Sequence, residues 1–293
     1  MNLKQSKILI TCTLLAAMHT VPTMANESPE ASPKIEDSKA TVESVEKQSA
    51  AEKAAKELAN PNTVYATMTF KFQYSGGFEE GGNNMTTLFQ PSMPMPLANG
   101  DKVFFRPAIA YTANSGKNNK NDDGGFTDLS FDLAYSPSLS DPSKLLALGV
   151  FTTLPTGSNG FSGEQYAMGP ELFYGKLSTN RVLGTLTTHQ WGFGEKDGMT
   201  KTNKTGVQLM WVEIGKGGWT YGSVPQMSYD WANNQAEIPI NLMVSKTTII
   251  GQRPWKLGIE ANYYVEKADH RPDFMLNFSV APVVENKLAT MLQ

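Results

Sequence analysis

The chain has 293 residues, 25 basic and 28 acidic, with one cysteine and a net charge of −3. The mild acidity argues against nucleic acid as a partner. A lone cysteine excludes both a disulfide framework and a thiolate metal site.

Residues 1–25 have the layout of a secretory signal peptide. Lys4 and Lys7 form a basic start, Ile8 to Ala17 is mostly apolar, and Thr23-Met24-Ala25 is a small-x-small cleavage site. Cleavage is expected near Ala25, with Asn26 opening the mature chain. Leu9-Ile10-Thr11-Cys12 faintly resembles a lipoprotein cleavage box, but further apolar residues follow it. Residues 1–25 hold two lysines and no acid, which takes the remainder of the chain from −3 to −5. No later stretch approaches the roughly 20 apolar residues of a transmembrane helix, so any span must be built of strands.

Residues 26–62 are rich in Glu, Lys, Ala and Ser and hold no aromatic residue. Val42 to Ala59 has good helix formers and opposite charges at helical spacing, but its apolar stripe is thin. A periplasmic linker or marginal helix is the plain reading. A plug inside the lumen and a short coiled coil are the alternatives.

From Thr63 the period changes to two, the mark of a half-buried strand. Ala66, Met68, Phe70, Phe72 and Tyr74 oppose Thr67, Thr69, Lys71 and Gln73. Leu129, Phe131, Leu133 and Tyr135 oppose Asp128, Ser130 and Asp132. About twelve such runs follow one another, at 64–74, 85–95, 102–112, 126–136, 144–154, 165–176, 181–192, 205–214, 219–230, 237–249, 254–266 and 273–284. Each is long enough to cross a bilayer at a tilt, whereas soluble strands average about 5–6 residues. Leu145 to Leu148 is apolar on both faces, and alternation marks no lipid side there.

Short turns follow even-numbered runs, and mostly longer polar loops follow odd-numbered ones. That alternation predicts an all-β, transmembrane antiparallel up-and-down barrel of about twelve strands, with termini and short turns periplasmic. The barrel proper spans 63–284, and 285–293 is a C-terminal tail. Trp219, Tyr221, Tyr229 and Trp231 share one face near the two ends of a single strand, as interfacial aromatic girdles do.

Inward-facing residues by alternation include Lys71, Gln73, Arg106, Asp128, Asp132, Glu171, Gln226, Glu237, Asn241, Lys256 and Glu260. They would line a water-filled path, or fill a narrow lumen with salt bridges. The expected partners are outer-membrane lipids and lipopolysaccharide outside and a small-molecule solute within, for a monomer with no metal, cofactor or catalytic site. His189 and His270 have no metal-ligand spacing. No serine follows His189 on its own strand face, and Ser228 lies two strands away. Asn118 to Gly125 lacks EF-hand spacing.

The C-terminal third carries Gly218-Trp219-Thr220-Tyr221-Gly222, the block from Glu237 to Lys246, and Tyr263-Tyr264-Val265-Glu266 with Phe274 to Val284. Weaker echoes lie at Phe89-Gln90-Pro91, Arg106-Pro107, Gly149 to Pro155 and Met168 to Glu171. In these residues the chain resembles a family of bacterial outer-membrane transporter-like proteins, whose members go under names such as neuromedin-U-like protein or outer-membrane protein of the phenol meta-cleavage pathway. The resemblance covers roughly residues 60–284. It implies passage of small, often aromatic or hydrophobic, compounds across the outer membrane and transfers no individual site residue. Unlike such barrels, which usually finish on an aromatic residue, the last strand here runs on into Glu285 to Gln293. The leading expectation is a passive channel; a closed structural or adhesive barrel, binding partners through its long loops, is the alternative.

Overall fold

The computed structural model describes residues 35–79, 81–115, 123–194, 199–286 and 289. The signal segment, most of Asn118 to Gly125 and most of the tail after Asn286 lie outside the described residues. The described residues fall into two units, divided between Ala40 and Thr41. Helix α1 (Ile35–Ala59) begins in the first unit, and everything below concerns the second.

Fourteen strand segments follow: β1 (Ala66–Gly76), β2 (Asn83–Pro96), β3 (Lys102–Ser115), β4 (Asp123–Phe126), β5 (Leu129–Ser136), β6 (Lys144–Leu154) and β7 (Tyr166–Leu177). The second half comprises β8 (Arg181–Phe193), β9 (Asn203–Ile214), β10 (Trp219–Ser223), β11 (Gln226–Asp230), β12 (Gln235–Ile250), β13 (Arg253–Glu266) and β14 (Phe274–Val284). Both β4 and β5 pair with β3, and both β10 and β11 lie between β9 and β12. Each of these pairs is therefore one wall strand in two pieces, and the fourteen segments make twelve strands. Every neighbour is antiparallel, and β1 closes the ring against β14. Closure leaves no free sheet edge, which is the condition for strands to stand in hydrocarbon. Among the described residues no helix is long and apolar enough to cross a membrane.

The twelve expected runs coincide with these strands, because side-chain parity is a strong signal wherever one face must be apolar. The outward residues are large and bare: Leu242 is 67% exposed, Ile240 61% and Ile259 60%, with Phe72, Leu172 and Phe278 also uncovered. Leaving one such side chain in water forgoes about 1.5–3 kcal/mol. A ring of them makes sense only against lipid. At the short-turn end this band is edged by Trp219 and Tyr221, with Lys246 Nζ 4.9 Å from the Trp219 ring. At the other end stand Trp191 and Trp231, the latter donating from Nε1 to Thr205 Oγ1 at 2.8 Å.

Proline explains two of the irregular places. Pro225 has no N–H to give, so the strand breaks between β10 and β11. Between β2 and β3 the paired rows stop at Phe89 and Ile109 and resume at Met93 and Phe105, with Pro91 and Pro107 in the gap. The short turns are tight. Gly100, at φ 87, closes the β2–β3 turn in a conformation that favours glycine.

The inner wall is less uniformly polar than alternation suggested. Phe104, Ala134, Leu145, Phe173, Val182 and Val212 are buried on it, which is why the runs around Leu145 were apolar on both faces. What covers part of this patch is α1. Ala51, Ala54, Ala55 and Ala59 form a buried stripe at helical spacing, and Ala59 packs in one cluster with Val182 and Val212. Alanine lets a helix lie close against a wall, so a stripe too thin for a coiled coil is adequate here. Glu52 accepts a hydrogen bond from the Gly217 amide in the β9–β10 turn, and Lys102 Nζ donates to the Asn62 carbonyl at 2.8 Å. The helix thus runs from the short-turn end to Leu58 inside the barrel, and Asn60 to Tyr65 lead back into β1.

Candidate functional site

Two polar recesses among the described residues of the lumen share Lys71 and Leu58. The larger, about 400 Å³, is bordered by Lys71, Arg106, Asp132, Glu171, Gln208 and Gln226 on the wall and by Leu58, Asn60 and Pro61 on the helix side. The smaller, about 250 Å³, lies between Lys71 on β1 and Lys256 on β13, with Leu58 again at its edge.

Arg106 organises the first. Register sets Arg106 on β3 directly opposite Asp132 on β5. Its Nε donates to both Asp132 oxygens at 2.8 and 3.0 Å, while Nη2 reaches Glu171 Oε1 on β7 at 3.0 Å. Asp132 and Glu171 are buried. A planar guanidinium can hold two carboxylates at once, as a lysine could not.

Glu260 organises the second cluster, and among the described residues no cation lies within ion-pair distance of it. Its Oε1 accepts from Asn241 Nδ2 at 2.7 Å and Asn262 Nδ2 at 3.1 Å, and its Oε2 accepts from Asn277 Nδ2 at 3.1 Å. Asn241 also mends the β10–β11 break. Its Oδ1 accepts the Val224 amide at 2.6 Å, a bond the interrupted ladder does not supply, and its carbonyl accepts from Ser223 Oγ.

Of the other residues expected to face inward, Gln73 lies on the inner face of β1, two positions beyond Lys71 and opposite Asn277. Gln226 borders the larger recess, opposite Gln208. Glu237 sits at the long-loop end, where Arg271 Nε lies at 2.8 Å and Lys204 Nζ at 4.0 Å. Asp128 is a correction. The wall strand is interrupted between β4 and β5, and its carboxylate accepts the Gly157 and Gly163 amides at 2.9 and 2.8 Å. It shapes the β6–β7 loop and joins neither recess.

Asn262, Asn277 and the turn after α1 were not singled out from sequence. Parity marks both asparagines as inward, but only the register across β12, β13 and β14 shows that they meet one carboxylate. The helix offered no signal beyond its alanine spacing.

His189 faces away from the lumen. Its Nδ1 lies 2.8 Å from Thr205 Oγ1 and its ring packs 4.2 Å from that of Trp191, on the outer face. Ser228 has the parity of Gln226, the inner face, so the two are on opposite sides of the wall. Among the described residues no group of three His, Cys, Asp or Glu could hold a metal ion.

No protein-family model matches the chain, and no curated protein matches it. Solved structures do. The fold is similar to that of an outer membrane channel from Pseudomonas putida F1, at 15% identity and TM-score 0.57, covering 75% of this chain and 96% of that one. It is also similar to the NanC porin, at 9% identity and TM-score 0.50, covering 74% and 99%. At these identities the likeness is one of fold.

Proposed function

We propose that the chain is a passive outer-membrane channel for small molecules. The observation that carries this reading is a closed barrel, apolar outside, whose interior holds about 400 Å³ of space bordered by ionised and amide side chains. A barrel meant only as a rigid post would gain by filling that space with apolar side chains, since buried charges are costly to keep. Hydrated recesses with fixed charge are how pores receive a solute. Both similar structures are channels by description, which fits the same reading and lends nothing to a closed adhesive barrel.

Within this proposal the leader is removed near Ala25, the protein stands as a monomer among outer-membrane lipids and lipopolysaccharide, and the short turns and α1 face the periplasm. The solute is a small hydrophobic or aromatic compound, in keeping with the resemblance to the transporter-like family of the phenol meta-pathway. The test is reconstitution of the mature chain in planar bilayers and in liposomes. Discrete conductance steps and flux of small solutes are expected. Absence of both would overturn the proposal.

A further inference from the structure

Most of the charges inside the barrel are already matched. Arg106 holds Asp132 and Glu171, three asparagine amides hold Glu260, and Arg271 with Lys204 holds Glu237. Lys71 and Lys256 are different. Among the described residues neither has a carboxylate within ion-pair distance, and the one hydrogen bond of Lys256 is to the Leu58 carbonyl at 3.5 Å.

The two lysines border the same recess of about 250 Å³. Ser279 lies opposite Lys71 on one side and Gly258 on the other, and Gly258 lies opposite Ser245. The wall beside the two ammonium groups is therefore built of three small residues in a row. A Cβ at Gly258 would stand 2.6 Å from Ser279 Oγ, so the hollow depends on that glycine. Two like charges facing one hollow repel each other, and an anion placed between them relieves that repulsion. With Glu260 at its rim, the recess carries one net positive charge. Leu58 and Met243 add apolar wall to the hydroxyls of Thr69 and Ser279.

We infer that this recess is a binding site for a small organic monocarboxylate, its carboxylate bridging Lys71 and Lys256 and its apolar part against Leu58 and Met243. The lysines supply charge-assisted hydrogen bonds, and the single net charge matches one carboxylate. The apolar walls favour an organic anion over inorganic phosphate, which would leave them facing water or bare charge. As the solute class of the channel, this rests on the function proposed above; as a binding site it stands separately.

The test is calorimetric titration of the detergent-solubilised full mature chain with benzoate and with inorganic phosphate. Bilayer recordings of the same preparation run in parallel. Benzoate should bind, and phosphate should bind about tenfold more weakly or not at all. K71M and K256M should each weaken benzoate by about tenfold or more, whereas K256R should retain it. Thermal unfolding of the unliganded K71M/K256M variant should match or exceed the original, because a repelling pair is removed. No benzoate binding by the original chain, or binding unchanged in K71M/K256M, would overturn the site. Phosphate binding as tight as benzoate would overturn its organic character. Silent bilayers with benzoate binding intact would remove the channel and keep the site; current without binding would do the reverse.

Discussion

Arg106 on β3 reaches Glu171 on β7, Nη2 to Oε1 3.0 Å, across the strands β5 and β6 that separate them in the wall. The same guanidinium grips Asp132, so one cation ties three strands together from the inside. R106M would leave two buried carboxylates side by side with no counter-charge. Breaking such a group costs about 3–5 kcal/mol, far more than the net worth of the intact cluster. Urea unfolding in lipid vesicles, followed by tryptophan fluorescence, should show that loss for R106M. E171Q keeps an acceptor for Nη2 and removes one acid, so it should cost about 1 kcal/mol. Equal stability of R106M and the original chain would show that the cluster does not brace the wall.

That cluster also marks how far sequence reasoning reaches. Parity placed Arg106, Asp132 and Glu171 on one face, because in a strand each residue's side is set by counting. Which inward residues meet depends on register between strands far apart in sequence, and Glu171 is 65 residues from Arg106. The apolar inner patch was hidden for a related reason. Leu145 and Leu148 both read as apolar, and only the wall shows that Leu145 turns in, buried, while Leu148 turns out at 52% exposure. Asp128 was misplaced because a strand break resets the count. Helix α1 has charges at helical spacing and an alanine stripe, which suffice for a helix but do not say what it lies against.

Asn241 joins two jobs in one amide, mending the β10–β11 break through Oδ1 and holding Glu260 through Nδ2. N241A removes an acceptor from the Val224 amide and a donor from a carboxylate. A loss of about 2–3 kcal/mol is expected, since each group left unmatched costs its own desolvation. N241D should be worse near pH 7, placing a second negative charge against Glu260, and should recover on acidification. The vesicle unfolding assay resolves the order, and N241D at least as stable as N241A at pH 7 would contradict it.

At the short-turn end, Asp101 accepts hydrogen bonds from the Tyr135 hydroxyl, the Ser138 amide at 2.7 Å and Asn99 Nδ2 at 2.6 Å. The Tyr135 bond, followed by that from Ser138, holds its carboxyl below the ordinary carboxylate value. A lowered folded-state value means the folded turn prefers the charged form. The stabilisation is therefore fully present above the ordinary value, about 3.9, and is lost as pH falls through the lowered one. Hydrogen exchange at the Ser138 amide, read by NMR in micelles, should stay protected from neutrality to about pH 4 and weaken below it. D101N should abolish that acid step. Protection in the original chain that is flat down to the acid limit would disprove the linkage.

Ala55 has no exposed surface, and Ala54 and Ala51 beside it are nearly as buried. Their small side chains are what let α1 lie against the inner wall near Gly218, where a Cβ would come within 2.4 Å of the Thr247 carbonyl. A55F cannot be housed there, since overpacking a closed contact costs about 1–3 kcal/mol. Among the described residues, Glu52 to the Gly217 amide and, just past the helix end, Lys102 to Asn62 tie this segment to the wall, and neither bond offsets that cost. The helix should therefore leave the wall, while the strand ladder, which closes without it, stays intact. Single-channel conductance of A55F should rise above that of the original chain, with barrel unfolding nearly unchanged. K53A, on the exposed side of the same helix, is the control and should behave as the original. Conductance of A55F equal to that of K53A would mean that the helix does not narrow the path.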